Sequence, residues 1–160
     1  MDWTDLKNKI YYLDGSLRDI YVAQTTIADW RKWTNYVNER YRIDWYNGKA
    51  SKNENQITFN VIEDFWNGSH DLCSAANIFI DTIQINAYFF DDIEMENDID
   101  PREFISIDDH NKLVKYMTDL SKILDKEVIL TPENEHETIL FKVNKDKIEF
   151  GENINSVTGD

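Results

Sequence analysis

At 160 residues, 41% hydrophobic and 13% aromatic, with five glycines and two prolines, the chain has the length of one domain and an apolar content that excludes a disordered composition. Its 31 acidic against 17 basic residues give a formal net charge of −14, a field that repels phosphate backbones and anionic membranes and attracts cationic partners. Cys73 is the single cysteine, so no intramolecular disulfide forms; the polar opening MDWTDLKNKI is unlike a signal peptide and no apolar run reaches the roughly 20 residues of a membrane span, so a cytoplasmic protein is expected.

KIYYLDGSLRDIYVAQ predicts a β-hairpin, with strands over 10–13 and 19–23 and a turn at Asp14-Gly15. TTIADWRKWTNYVNERY predicts a helix. Thr26 and Asp29 form a capping box, and Ile27, Trp30, Trp33, Val37 and Tyr41 make an apolar stripe that packs on a sheet. RIDWYNGK predicts a short strand closed by an Asn47-Gly48 turn, SKNEN a polar loop, and QITFN another strand. VIEDFWNG reads as a short helix capped by Asn60, with Glu63 at the third position, and ended by Gly68.

SAANIFI and TIQINAYFF predict paired strands. In the second, Ile83, Ile85, Ala87 and Phe89 alternate with Gln84, Asn86, Tyr88 and Phe90, which gives one apolar and one mixed face. An acidic segment follows: residues 91–103 hold seven carboxylates in thirteen positions, with Arg102 the only base. SIDDHNKLVKYMTDLSKILDK predicts the longest helix. Ser106 and Asp109 cap it, Leu113, Val114, Met117, Leu120 and Leu124 form its buried stripe, and Lys126 suits its negative end. EVIL, ETILFKV and KIEF predict three closing strands, the first two joined by TPENEHE and the last two by a turn at NKDK. GENINSVTGD reads as a frayed tail over 151–160. The expected fold is a single α+β domain over 1–150: a largely antiparallel sheet with two longer helices and one short helix.

Asp92, Glu94, Glu96, Asp98, Asp100 and Glu103 fall at positions 1, 3, 5, 7, 9 and 12 of a calcium loop. Asn97 stands where the sharp turn needs Gly, Glu is too long at the third and fifth positions, and Pro101 stiffens the exit, so no metal is expected. His70, His110 and His136 are scattered and lack zinc-ligand spacing with Cys73. A hydrolase pair would need one carboxyl in a dry pocket and another kept ionised, whereas carboxylates this crowded read as solvated. No metalloprotease helix, nucleophile elbow or phosphate-binding glycine loop is present, and Cys73 beside His70 and Asp71 reads as a small buried residue. WRKW offers two cations against a net −14, so Trp30 and Trp33 read as core rather than as a base-stacking site. No catalytic residue and no cofactor is expected.

What remains is a binding surface. Asp91, Asp92, Glu94, Glu96, Asp98, Asp100 and Glu103 lie beside Tyr88 and Phe90, with Trp45 and Tyr46 as further exposed aromatics. Charge steers a basic protein and aromatics anchor it, with Asp92 and Glu94 expected to dominate because they lie nearest the strand end. That suits an inhibitor of a protein with a basic, nucleic-acid-cleaving cleft. The stretches DGSLRDIYV, ENDIDPRE and LSKILDKEVILTPENEHETILFKV, with the size and charge, resemble the small acidic immunity proteins of bacterial polymorphic-toxin and contact-dependent inhibition systems. The resemblance implies a stoichiometric, non-enzymatic inhibitor of a cognate toxin and carries no residue-level role. Two alternatives stay open. A nucleic-acid mimic acting on a DNA- or RNA-processing enzyme would need carboxylates spread like phosphates over an extended face. A carboxylate-based hydrolase would need a concave pocket.

Overall fold

The chain opens with a helix where the start of a hairpin is expected. In the computed structural model, which describes residues 1–69 and 75–155, Asp2 caps α1 (Trp3–Lys9) by accepting from Asp5 N at 2.9 Å. Residues 10–17 then form a loop rather than a strand, and Arg18 explains why. Its guanidinium is fully buried and donates to the carbonyls of Ile10 (2.8 Å), Tyr12 (2.5 Å), Ser16 (3.2 Å) and Leu17 (2.9 Å). Carbonyls wrapped round one planar five-donor group are not available to a neighbouring strand. Gly15 supplies the positive φ of +84° that the Asp14-Gly15 turn needs. Only β1 (Arg18–Ala23) of the expected hairpin is a strand, and it lies in the middle of the sheet.

Among the described residues the sheet is antiparallel throughout, and its nine strands run in the order β3-β2-β4-β5-β6-β1-β7-β8-β9. The strands are β1, β2 (Arg42–Asn47), β3 (Lys52–Glu54), β4 (Ala76–Ile80), β5 (Ile83–Tyr88), β6 (Glu94–Ile99), β7 (Val128–Pro132), β8 (Phe141–Asn144) and β9 (Lys147–Phe150). Four helices precede the last short one: α1, α2 (Ile27–Arg40), α3 (Phe59–Trp66) and α4 (Ile107–Leu124), then α5 (Glu152–Asn155). This is the expected α+β architecture.

Four local expectations are corrected. SKNEN contains the edge strand β3, paired with β2. QITFN is not a strand: the side-chain amide of Asn38 on α2 bonds both the N–H and the carbonyl of Ile57, each at 2.9 Å, and so replaces a sheet neighbour. The helix after it starts at Phe59 with Thr58 as its cap residue, not Asn60. The tail expected at 151 begins with α5, whose Ile154 is buried. Gly151 makes this possible, because a Cβ there would stand 1.8 Å from the Ile139 carbonyl oxygen.

One face of the sheet carries the core. Ile43 and Trp45 on β2, Ala76 and Ile78 on β4, Ile83, Ile85 and Ala87 on β5, Met95 and Ile99 on β6, Ile20 and Val22 on β1, Val128 and Leu130 on β7, and Phe141 and Val143 on β8 are all buried. α2 and α4 pack on each other and against the sheet, burying Trp30, Trp33 and Val37 from one and Leu113, Tyr116, Met117 and Leu120 from the other. The capping box of Thr26 and Asp29 is present in both directions. Ser106 occupies the cap of α4 but makes no side-chain bond to its backbone; Asp109 instead accepts from Ile105 N at 3.0 Å and Ser106 Oγ at 3.3 Å. Trp45, expected to be partly exposed, is 1% exposed because it alternates with Asp44 and Tyr46 onto the core face. No helix among the described residues is long and apolar enough to cross a membrane.

Candidate functional site

The centre of the acidic segment is a strand. Residues 94–99 form β6, hydrogen-bonded between β5 and β1 near the middle of the sheet. Period two then sorts its side chains. Met95, Asn97 and Ile99 face the helices, and Glu94, Glu96 and Asp98 stand on the opposite, open face. Three carboxylates two residues apart along a strand are about 7 Å from one another, so they do not fold round one ion as a calcium loop does. Among the described residues no group of three or more His, Cys, Asp or Glu side chains converges in a way that could hold a metal.

The pairing register builds the open face into two rows. Asn77, Asn86, Asp98, Asp19 and Thr131 lie side by side across β4, β5, β6, β1 and β7. Beside them run Tyr88, Glu96, Tyr21, Ile129 and Lys142 across β5, β6, β1, β7 and β8. Asp19 and Asp98 are therefore direct cross-strand partners at the centre, 4% and 6% exposed.

Their hydrogen bonds come from neutral donors. Asp98 accepts from Asn86 Nδ2 at 2.8 Å and from the Tyr88 hydroxyl at 2.7 Å. Asp19 accepts from the Tyr21 hydroxyl at 2.9 Å and from Asn134 N at 2.8 Å. Burial pushes the Asp98 carboxyl above its ordinary range, the donated bonds from Asn86 and Tyr88 oppose that, and the nearby charges of Asp19 and Glu133 add to it. Glu96 is also pushed up, first by burial and then by Asp19 and Glu94. Glu94 meets His136 Nε2 at 3.0 Å, and the His136 ring stacks on Tyr21 with centroids 3.7 Å apart. A groove of about 440 Å³ opens beside this stack, lined by Tyr21, Gln24, Glu94, Lys126, Glu127 and His136 among others, with neither Asp19 nor Asp98 in its wall.

The structure divides the nine expected site residues. Tyr88, Glu94, Glu96 and Asp98 come together on the open face, and Phe90 joins them by stacking parallel to Tyr88 at 5.5 Å. Asp91 is occupied in its own turn, its Oδ1 accepting from Ile93 N and Glu94 N. Asp92 contributes its backbone, whose carbonyl accepts from Thr25 Oγ1 and Trp30 Nε1. Asp100 caps the 3-10 turn Pro101–Glu103 and pairs with Arg102 at 2.7 Å, which lowers its carboxyl below the usual range. Glu103 accepts from Gln84 N at 3.2 Å and is raised by burial. The neighbouring Tyr46 is half-buried. His70, Asp71 and Cys73 lie outside the described residues.

Asp19, Tyr21 and Asn86 belong to the face and were missed as site residues. The signal was present in DIYVA, where Asp19 and Tyr21 alternate with Ile20 and Val22, and in EMENDI, where acids alternate with Met95 and Ile99. Comparison with protein-family models, with curated proteins and with solved structures finds no match for this chain.

Proposed function

We propose that the chain is a non-catalytic acidic binding protein whose open sheet face takes a basic partner protein, and that this partner is a cognate toxin with a cationic cleft, as the immunity-protein resemblance implies. The observation that carries the reading is the Asp19–Asp98 pair: two carboxylates buried opposite one another and bonded, among the described residues, only by neutral donors. Like charges directly opposite on neighbouring strands repel. A partner's Arg or Lys brought against them would relieve that repulsion, and such desolvated charge pairs are worth several kcal/mol in an interface. Tyr88 and Phe90 supply the flat aromatic area that interface centres favour, whereas Tyr21 lies buried beneath His136.

The alternatives fit less well. A nucleic-acid mimic needs carboxylates spread like phosphates over an extended face, whereas Asp19, Glu94, Glu96 and Asp98 are confined to the neighbouring strands β1 and β6. A hydrolase needs one carboxyl in a dry setting and another kept ionised; the carboxylates of the adjoining groove, Glu94, Asp125 and Glu127, are each already paired, with His136, Lys145 and Lys142.

Growth tests the reading. The protein encoded directly upstream of this chain's gene is expressed in a host with and without the chain. The expected result is toxicity that the wild-type chain abolishes and that the triple variant Asp19→Asn, Glu96→Gln, Asp98→Asn, still folded by circular dichroism, does not. A harmless upstream product, or equal rescue by the triple variant, contradicts the proposal.

A further inference from the structure

We propose that the connection between β5 and β6, residues 89–93, is a preformed apolar anchor, and that the basic partner carries apolar side chains beside its cations to meet it. This rests on the reading above and specifies the partner's chemistry at that site. Phe90 and Ile93 are 67% and 65% exposed. Phe90 is not loose: its ring lies parallel to Tyr88 within 1°, and the Tyr88 hydroxyl is bonded to Asp98. The aromatic stack therefore continues the open face past the end of β5.

The backbone of the same connection is held from three other parts of the fold. Trp66 Nε1 on α3 donates to the Phe89 carbonyl at 2.9 Å. Trp30 Nε1 on α2 and Thr25 Oγ1 donate to the Asp92 carbonyl at 3.1 and 2.6 Å, and Thr25 N donates to the Ile93 carbonyl at 3.0 Å. A segment pinned in this way has already lost the freedom that docking would otherwise remove, so apolar side chains it presents bind at lower entropic cost.

Charge selects this patch and its occupant. Leu13 and Ile105, another exposed apolar pair, share a groove with Lys7 and Arg102. Phe90 and Ile93 are flanked in the chain by Asp91, Asp92 and Glu94. An apolar tip with an acidic rim fits a basic partner and repels a second copy of this acidic chain.

Two octapeptides of equal charge are the probes, one alternating Arg and Leu, the other alternating Arg and Ser, titrated by calorimetry at low salt. The Arg-Leu peptide is expected to bind at least tenfold more tightly. The double variant Phe90→Ser, Ile93→Ser is expected to keep the wild-type melting curve and to bind the two peptides equally, whatever its affinity for the Arg-Ser peptide, so that the tenfold increment is lost. An increment that is absent, or that survives in the double variant, overturns the anchor and leaves the acidic-face reading standing. No binding of the Arg-Ser peptide overturns the acidic face itself, and the anchor with it. Sedimentation of a wild-type dimer that the double variant dissolves would assign the tip to a second copy and overturn the proposal.

Discussion

Asp19 and Asp98 sit directly opposite each other in the β1–β6 ladder, both nearly buried and both on the open side of the sheet. The fold thus holds two carboxyl groups close together, and among the described residues only tyrosine, asparagine and a backbone N–H bond to them. Ionised carboxylates so placed repel each other, and the proposed basic partner would relieve that repulsion.

The stability consequence is testable in the free protein. Because the Asp98 carboxyl is raised in the folded state, its ionised form opposes folding above that raised value, and the opposition disappears at pH below the ordinary carboxylate range. Asp98→Asn keeps an oxygen for Asn86 and removes the charge. The variant is expected to melt higher than wild type at pH 7, at about 2–4 °C per kcal/mol for a chain of this size, and to lose that advantage near pH 3. Paired thermal melts at the two pH values check it.

His110 works in the opposite direction. It is buried, its Nδ1 lies 2.6 Å from the Tyr11 hydroxyl, and burial lowers its pKa to about 4. Burial thus keeps the ring neutral at pH 7 in the folded protein. An imidazole whose folded pKa lies below its unfolded value contributes stability that is complete above about 6.5 and is lost as pH falls toward 4. At about 1.4 kcal/mol per pKa unit the contribution is roughly 3 kcal/mol. The His110 ring protons, followed by NMR, should titrate near 4, well below the ordinary imidazole value. A midpoint near 6.5 contradicts the placement.

Two tryptophans should behave differently. Trp30 is fully buried and also holds the Asp92 carbonyl, so Trp30→Ala should cost about 3–5 kcal/mol and loosen residues 89–93. Trp45 is as deeply buried, yet its Nε1 has no hydrogen-bond partner among the described residues. Trp45→Phe removes an unsatisfied donor along with some volume, and the two effects offset to within about 1 kcal/mol. Urea denaturation of both variants makes the comparison.

Gly151→Ala tests the attachment of α5. The new methyl would stand 1.8 Å from the Ile139 carbonyl oxygen, and that neighbour is backbone. Residues 151–155 must shift, and the bond from Gly151 N to the Leu140 carbonyl at 2.9 Å should break. Faster amide exchange at Gly151 and Ile154, with a melting temperature lowered by several degrees, is the expected result.

Much of the architecture was legible where pattern and chemistry agree. The Thr26–Asp29 box, the stripe of Trp30, Trp33 and Val37, and the alternation through Ile83, Ile85 and Ala87 each gave the right element and the right buried face. The hairpin failed because a turn signal at Asp14-Gly15 says nothing of Arg18, whose side chain gathers the carbonyls before it. The 91–103 segment failed for a different reason. Asp, Glu and Asn are poor strand formers, so their density reads as a loop, although every second residue of 94–99 points into the core or the polar network beneath it. There Tyr116 donates to Asn97 Oδ1 at 2.6 Å and receives from Trp33 Nε1 at 3.0 Å, a pairing of three elements that no local pattern encodes. Asp19 joined the site only through strand order, because β1 inserts between β6 and β7.

The most direct measurement is a ¹⁵N shift-perturbation titration of the protein with the alternating Arg-Ser octapeptide, at low and at high salt. The expected shifts cluster at Asp19, Tyr21, Asn86, Tyr88, Glu96 and Asp98, shrink as salt screens the charges over a Debye length of about 3 Å at 1 M, and vanish in the Asp19→Asn, Glu96→Gln, Asp98→Asn variant. Shifts concentrated instead on the helical side, or unchanged in that variant, would contradict a docking surface on the open face of the sheet.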